Sequence, residues 1–306
     1  MNRFLLLALC LGATHAASAS FELALIGTNN GINRVDGDTF ASLGKFGTTV
    51  IGGGVISLAI DKGRNTVYAL AQNTTKGRES VDIFALNYNT GEFISSLRLG
   101  NTTTSGRSLT VDEFGRVWVA SGFGLTRYLP QNNWAVSASI AGNFYGVGTA
   151  TSRVVFYDGS VLRTYLEPSA GVFQNLGSVA LSGAASTSNI NMRDGTGLIV
   201  SGTTAARFNI DAGAPTILQF YGAPGTKKGL AFGHGNKLLG TYQDTVTPTT
   251  GGIYTQDGTS GTLFTEALTG YYGPIATVVA PEPGTLLAAS AGILALVSRR
   301  RQQRPR

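Results

Sequence analysis

The sequence predicts an all-β protein, a six-bladed β-propeller closed by strands from both chain ends. Three observations carry this expectation. The composition is poor in charge and rich in glycine. A strand–turn–strand unit recurs at blade-sized intervals. One strand is left over where a further blade would begin. The chain has 306 residues, 42 of them glycine, with 42% hydrophobic and only 13% charged residues. An ordinary soluble domain carries roughly 25% charged residues. This balance excludes a coiled coil and a charge-rich disordered chain, and it leaves enough apolar side chain for a sizeable core.

Between Phe21 and Ala280 no long stretch repeats apolar residues at helical spacing. Short Val/Ile/Leu/Tyr/Phe runs alternate instead with Gly, Asn, Asp and Thr clusters. Two units are clearly alike, Ser57 to Leu70 and Ser108 to Ala120. Each reads as a strand, a turn led by Asp61 or Asp112, and a second strand bearing Tyr68 or Trp118. The Asp can accept hydrogen bonds from the turn backbone, and Gly permits positive φ. Weaker copies start near 145, 189 and 229. A spacing of roughly 40–50 residues is the period of a four-stranded blade. Outer hairpins are visible at 82–99 and in the stretch from Leu125 to Leu129 followed by a strand from Trp134 to Ile140.

The first blade holds three expected strands, Leu23 to Gly27, Gly31 to Val35 and Phe40 to Phe46. The orphan strand, Gly273 to Val279, supplies the fourth, so the two ends share one blade. The pattern Asp112 to Val119 resembles the propeller repeats of the NHL and lactonase-like kind, which implies the fold and carries no activity. A β-sandwich or β-solenoid is the rival architecture.

The two ends read as addresses. Arg3 followed by the apolar run Phe4 to Leu11 and by Ala17-Ser18-Ala19 has the form of a secretory signal peptide. Cys10, the single cysteine, leaves with that leader, so no disulfide, thiolate nucleophile or Cys-ligated metal is expected in the body. At the other end Pro281-Glu282-Pro283 precedes an apolar stretch, residues 285–297, whose large side chains are Leu286, Leu287, Ile293, Leu294, Leu296 and Val297. Arg299, Arg300 and Arg301 follow and would hold that end in the cytoplasm. The order of parts resembles the bacterial PEP-CTERM sorting signal. That resemblance implies a transient inner-membrane helix, processing by an exosortase-type membrane enzyme, and an exported protein of a polysaccharide-producing Gram-negative cell. The expected organisation is therefore a signal peptide over 1–19, a propeller over 20–280 and a sorting tail over 281–306.

The formal charge of +6 belongs largely to Arg3 and to the five arginines among the last eight residues. The body is close to neutral and has no basic stripe interleaved with aromatics, so nucleic acid is not an expected partner. His234 is the one histidine outside the leader and reads as a turn residue. It has neither a cysteine nor a nucleophile elbow to work with. Asp61, Asp112, Asp194 and Asp257 fall where turns are expected. Asp36-Gly37-Asp38 reads as a hairpin turn rather than a calcium loop. Trp118 and Tyr68 read as packing residues. The Thr-rich stretch from Thr245 to Gly252 reads as a hairpin loop.

No catalytic constellation is found, and no metal ligand set is assigned. Lactonase-like propellers hold a central divalent metal with Glu, Asn and Asp, and the positions that could play that part are Glu22, Asn143, Asn189 and Asn191. Calcium is the one cofactor kept open on that resemblance. The expected function is binding, or a structural role, in the cell envelope or an extracellular matrix, with polysaccharide or envelope proteins as partners. A metal-dependent lactonase-like hydrolase is the alternative.

Overall fold

The computed structural model describes residues 23–47, 51, 53–73, 80–100, 105–181, 188–202, 204–222, 225–233, 235–244, 247, 250–268 and 273–278. These form six four-stranded antiparallel sheets arranged as a propeller. Blade 1 contains β1 (Leu23–Thr28), β2 (Gly31–Asp36) and β3 (Ser42–Phe46). Blade 2 is β4 (Val55–Asp61), β5 (Thr66–Asn73), β6 (Ser80–Asn87) and β7 (Phe93–Gly100). Blade 3 is β8 (Ser108–Val111), β9 (Val117–Ala120), β10 (Gly124–Leu129) and β11 (Ala135–Ala141). Blade 4 is β12 (Gly146–Ala150), β13 (Arg153–Tyr157), β14 (Val161–Ser169) and β15 (Val172–Ala180). Blade 5 is β16 (Ser188–Arg193), β17 (Thr196–Ser201), β18 (Thr204–Asn209) and β19 (Thr216–Phe220). Blade 6 is β20 (Thr226–Phe232), β21 (Lys237–Gln243), β22 (Gly251–Asp257) and β23 (Leu263–Leu268). The last strand, β24 (Ile275–Val278), pairs with β1 and becomes the innermost strand of blade 1.

The closure runs Leu23 opposite Val278 through Ile26 opposite Ile275, and the Gly27 N–H donates to the Pro274 carbonyl at 2.8 Å. It needs close backbone approach. A Cβ on Gly273 would lie 2.0 Å from the Gly27 carbonyl oxygen, so only glycine fits there. The expected shared blade and the count of six both hold.

The apolar runs make sense once the core is located. Six clusters of buried side chains lie between facing blades, one at each junction. Leu25, Ile32 and Phe46 of blade 1 meet Val67, Phe84 and Leu86 of blade 2, for example, and Ala24 and Val35 meet Leu239 and Ile253 of blade 6. A middle strand is thus covered on both faces and has no polar side to alternate with. β5 is buried from Thr66 to Ala71, whereas the outermost β7 is largely exposed.

The turns follow from the same local chemistry. Asp112 Oδ1 accepts from the N–H groups of Phe114 at 3.0 Å and Arg116 at 2.9 Å, and Gly115 takes φ +76°. Asp61 and Asp257 cap their turns in the same manner. Asp194 sits in its turn at φ +48°. Asp36 Oδ1 accepts from Asp38 and Thr39 N–H, which makes the 36–39 segment a hairpin turn.

Two expectations are corrected. Gly251 and Gly252 belong to β22, paired with Gln243 and Tyr242, because the ladder continues into the Thr-rich segment. Trp134 does not begin a strand. It has φ +59° and folds its ring edge-on to Tyr68 at 6.1 Å, buried in the cluster between blades 2 and 3. Among the described residues no helix is long and apolar enough to cross a membrane. The expected segment 285–297 lies outside them, as do the leader and the remainder of the tail.

Candidate functional site

The innermost strands β24, β4, β8, β12, β16 and β20 ring the propeller axis. Their N-terminal ends gather at one face, here the upper mouth, and their C-terminal ends at the other. The two faces carry different chemistry.

At the upper mouth a cavity of about 250 Å³ is bounded by residues from four consecutive blades, 5, 6, 1 and 2. Its walls include Thr28 and Asn29 from the β1–β2 turn, Gln72 at the end of β5, and Asn189 at the start of β16. Val55, Ile56 and Pro274 supply apolar surface, and Lys228 supplies the one charge among the described lining residues. Among the described residues no carboxylate lines it.

Two of these residues are placed by β-bulges. In β4, Val55 faces Ala71 and Ser57 faces Leu70, which leaves Ile56 as the extra residue. In β20, Lys227 faces Tyr242 and Gly229 faces Thr241, which leaves Lys228 as the extra residue. The other four innermost pairs run in unbroken register. Bulges re-aim side chains and concentrate near functional sites. Here both bulged inner strands deliver their extra residue to the same cavity. The Lys228 carbonyl, freed from the ladder, accepts from Asn189 Nδ2 at 3.3 Å across the blade 5–6 junction. Burial holds the Lys228 ammonium pKa below its ordinary value, and it does the same to Lys227. No described carboxylate forms an ion pair with Lys228.

At the lower face a smaller cavity of about 120 Å³ lies between blades 3 and 4. Of its lining charges, Asp112, Arg116 and Glu167 are ion-paired, Arg153 donates to the Ile210 carbonyl, and Glu113 forms no ion pair among the described residues. Arg127, only 3% exposed, pairs with Glu167 and lies 5.1 Å from the Trp118 ring centroid. Arg116 reaches Asp112 at 2.6 Å and Glu167 at 3.6 Å. Asp112 Oδ2 also accepts from Trp118 Nε1 at 3.2 Å, and Glu167 Oε1 accepts from the Gly171 N–H at 2.8 Å. Burial works to raise the Glu167 pKa. The Gly171 N–H and the Arg127 and Arg116 guanidiniums together outweigh it, so the carboxyl titrates below its ordinary value. This network staples two blades.

The residues singled out as possible calcium ligands divide their tasks. Asn143 Oδ1 accepts from Arg107 Nη1 at 2.7 Å, beside Tyr145 at the blade 3–4 junction. Asn191 Nδ2 donates to the Leu230 carbonyl at 2.7 Å, and Asn189 to Lys228. Among the described residues no three His, Cys, Asp or Glu side chains gather as a metal site. Glu22, His234 and the tail residues Pro281 to Arg301 lie outside the described residues. Trp118 and Tyr68 are buried packing residues, as expected. Sequence reasoning missed Lys228, Gln72 and Asn29. The signal for the first was the pair Lys227-Lys228 at the head of an inner strand in a charge-poor body, one residue before the recognised unit at Gly229.

Fold and site together define a six-bladed propeller with a cationic upper mouth. No family model matches the chain, and no curated protein is similar to it in sequence. Solved structures share the fold. A chain of a nidogen–laminin complex matches with a TM-score of 0.61 at 12% identity, over 84% of this chain and 98% of that one. A protein of unknown function from Bacteroides caccae matches with a TM-score of 0.60 at 14% identity, over 85% and 99%. A protein from Lactobacillus plantarum matches with a TM-score of 0.58 at 10% identity, over 85% and 100%.

Proposed function

We propose that this chain is an exported propeller that works by binding, with its ligand at the upper mouth. The observation that carries this reading is the cavity itself, where two bulged inner strands and three amide side chains converge. A chain of the same fold takes part in a nidogen–laminin complex, and the architecture suits recognition. Extracellular polysaccharide and envelope proteins are the partners this reading favours.

The same proposal places the chain transiently at the inner membrane through a PEP-CTERM tail. Pro281, Glu282 and Pro283 are the recognition element for an exosortase-type enzyme, and Arg299, Arg300 and Arg301 are the cytoplasmic stop. The geometry of blade 1 is compatible with that. Leu23 pairs with Val278 at the lower end of the sheet, while Pro274 lines the upper mouth. Leader and tail therefore join the body at one point, with the cavity at the far end of the closing strand. A cut near Pro281 leaves every described strand in place.

The test of binding fills the mouth. Gly54 borders the cavity, and a Cβ there meets nothing closer than Asn29 Oδ1 at 3.5 Å. Gly54→Phe should leave the melting temperature nearly unchanged and abolish retention of the full chain in gels containing polysaccharide (polygalacturonate, alginate or dextran). Retention unaffected by Gly54→Phe, or absent for every polysaccharide, would overturn the reading. The test of sorting is Glu282→Ala, which should block tail processing. Normal processing in that variant, and also without the three-Arg cluster, would remove the sorting reading.

A further inference from the structure

We infer that the upper mouth is a carboxylate-binding subsite, with Lys228 as the counter-charge, shaped for one acidic sugar unit. This rests on the mouth-binding reading above and adds the chemical class of the ligand.

The charge arrangement points to an anion. Several basic groups at blade junctions elsewhere have partners, although the Nε atoms of Arg34 and Arg207 are buried without a hydrogen-bond partner. Arg127 and Arg116 have Glu167 and Asp112, and Lys237 has Asp38 at 2.8 Å. Arg193 spends its guanidinium on the carbonyls of Gly233 and Gly235. Lys228 has no such partner among the described residues, yet it is drawn into a cavity by a bulge. Lys228 is half-buried, and partly desolvating an ammonium without a counter-charge is unfavourable. A strand that bulges to do so contributes no stability from that side chain. A bound anion would supply the missing partner.

The remainder of the lining narrows the anion. A bare phosphate or sulfate needs a cluster of donors and little else. Here the ammonium is accompanied by the amides of Asn29 and Gln72 and by Asn189 Oδ1, which can exchange hydrogen bonds with hydroxyls, and by an apolar patch of Val55, Ile56 and Pro274; the Thr28 hydroxyl is engaged within the β1–β2 turn. A pyranose ring offers both kinds of surface, polar at its rim and apolar on its face. The cavity, at about 250 Å³, falls just below the roughly 300–1,000 Å³ of drug-sized sites and suits a single unit rather than an extended ligand. A carboxylated sugar satisfies all three features. A divalent cation does not, because the site offers it an ammonium and no carboxylate.

The experiment compares one sugar with and without its charge. The full chain is titrated with polygalacturonate, with its methyl ester and with dextran, and free galacturonate and inorganic phosphate are tested as competitors. Polygalacturonate should bind about tenfold or more tighter than its methyl ester, the value of one charge-assisted hydrogen bond. Lys228→Gln should erase that preference, and Lys228→Arg should restore most of it, with the melting temperature of each variant confirming the fold. Equal binding of acid and ester, or a preference that survives Lys228→Gln, would overturn the inference. Competition by phosphate as strong as by free galacturonate would overturn the sugar assignment. The broader reading fails separately: it stands if dextran binds and Gly54→Phe blocks it, even where the charge makes no difference.

Discussion

The two faces of this propeller treat half-hidden charge in opposite ways. At the lower face Arg127, Arg116, Asp112 and Glu167 form a closed circuit between blades 3 and 4, with the Trp118 ring and the Gly171 N–H filling its gaps. At the upper mouth Lys228 stands among amides and apolar groups, with no carboxylate among the described lining residues. Both faces contain a cavity, and both contain desolvated basic groups. What separates them is satisfaction. A charge whose partners are all present is holding the structure together. A charge brought in by a departure from regular register, and left without a partner, is available to something else. Pairing thus tells more about function here than cavity size or burial.

The largest expected effect would come from breaking the closed circuit. Arg127→Ala leaves Glu167 buried with one guanidinium where it had two, and loses the packing over Trp118. Removing one partner of a buried pair costs about 3–5 kcal/mol. A fall of that order in the urea unfolding free energy is expected, with ligand retention at the opposite mouth unchanged in the protein that remains folded. A cost under about 1 kcal/mol would mean that the network behaves as an exposed one.

A middle-sized effect is expected from acid. The Glu167 carboxyl titrates below its ordinary 4.5 in the folded protein, so the folded state binds its proton less readily than the unfolded chain does. The stability this supplies is fully present above the unfolded value and is lost as pH falls through the folded one. Thermal unfolding followed from pH 7 to pH 3 should show the wild type losing stability below about pH 4.5. Glu167→Gln should start lower and show a shallower acid slope. Parallel slopes would assign the acid sensitivity to other carboxylates, such as Asp36 and Asp158, whose pKa values are also lowered.

The smallest effect sharpens the contrast. Lys228→Gln removes a desolvated charge that no described carboxylate balances. Its unfolding free energy should be equal to that of wild type or raised by up to about 0.5 kcal/mol, because no partner is broken and an unbalanced charge is removed. A loss like that of Arg127→Ala would place Lys228 with the structural charges and end the distinction between the two faces.

Much of the fold was legible before any coordinates. The strand units, their number and the closure by the last strand could be read because their causes are local. Asp at the head of a turn and Gly at positive φ act over four residues. The uninterrupted apolar runs reflect middle strands covered on both faces, a condition every blade repeats. Trp134 escaped that reading because Asn133 and Trp134 both take left-handed backbone after the Pro130–Asn132 turn, and its ring packs against Tyr68, far away in the chain.

The sequence by itself determined the repeating blade, its turns, the closing strand and the charge-poor character of the body. Only the tertiary structure decided that Thr28, Gln72, Asn189, Lys228 and Pro274 would share one cavity. The reason is physical. A bulge is settled by how an inner strand meets its neighbours around the ring, and no property of Lys227-Lys228-Gly229 alone states which of the two lysines leaves the ladder. Convergence of four blades on one mouth is likewise a consequence of closing the ring. Closing it brings Gly273 against Gly27 across nearly the whole length of the described chain.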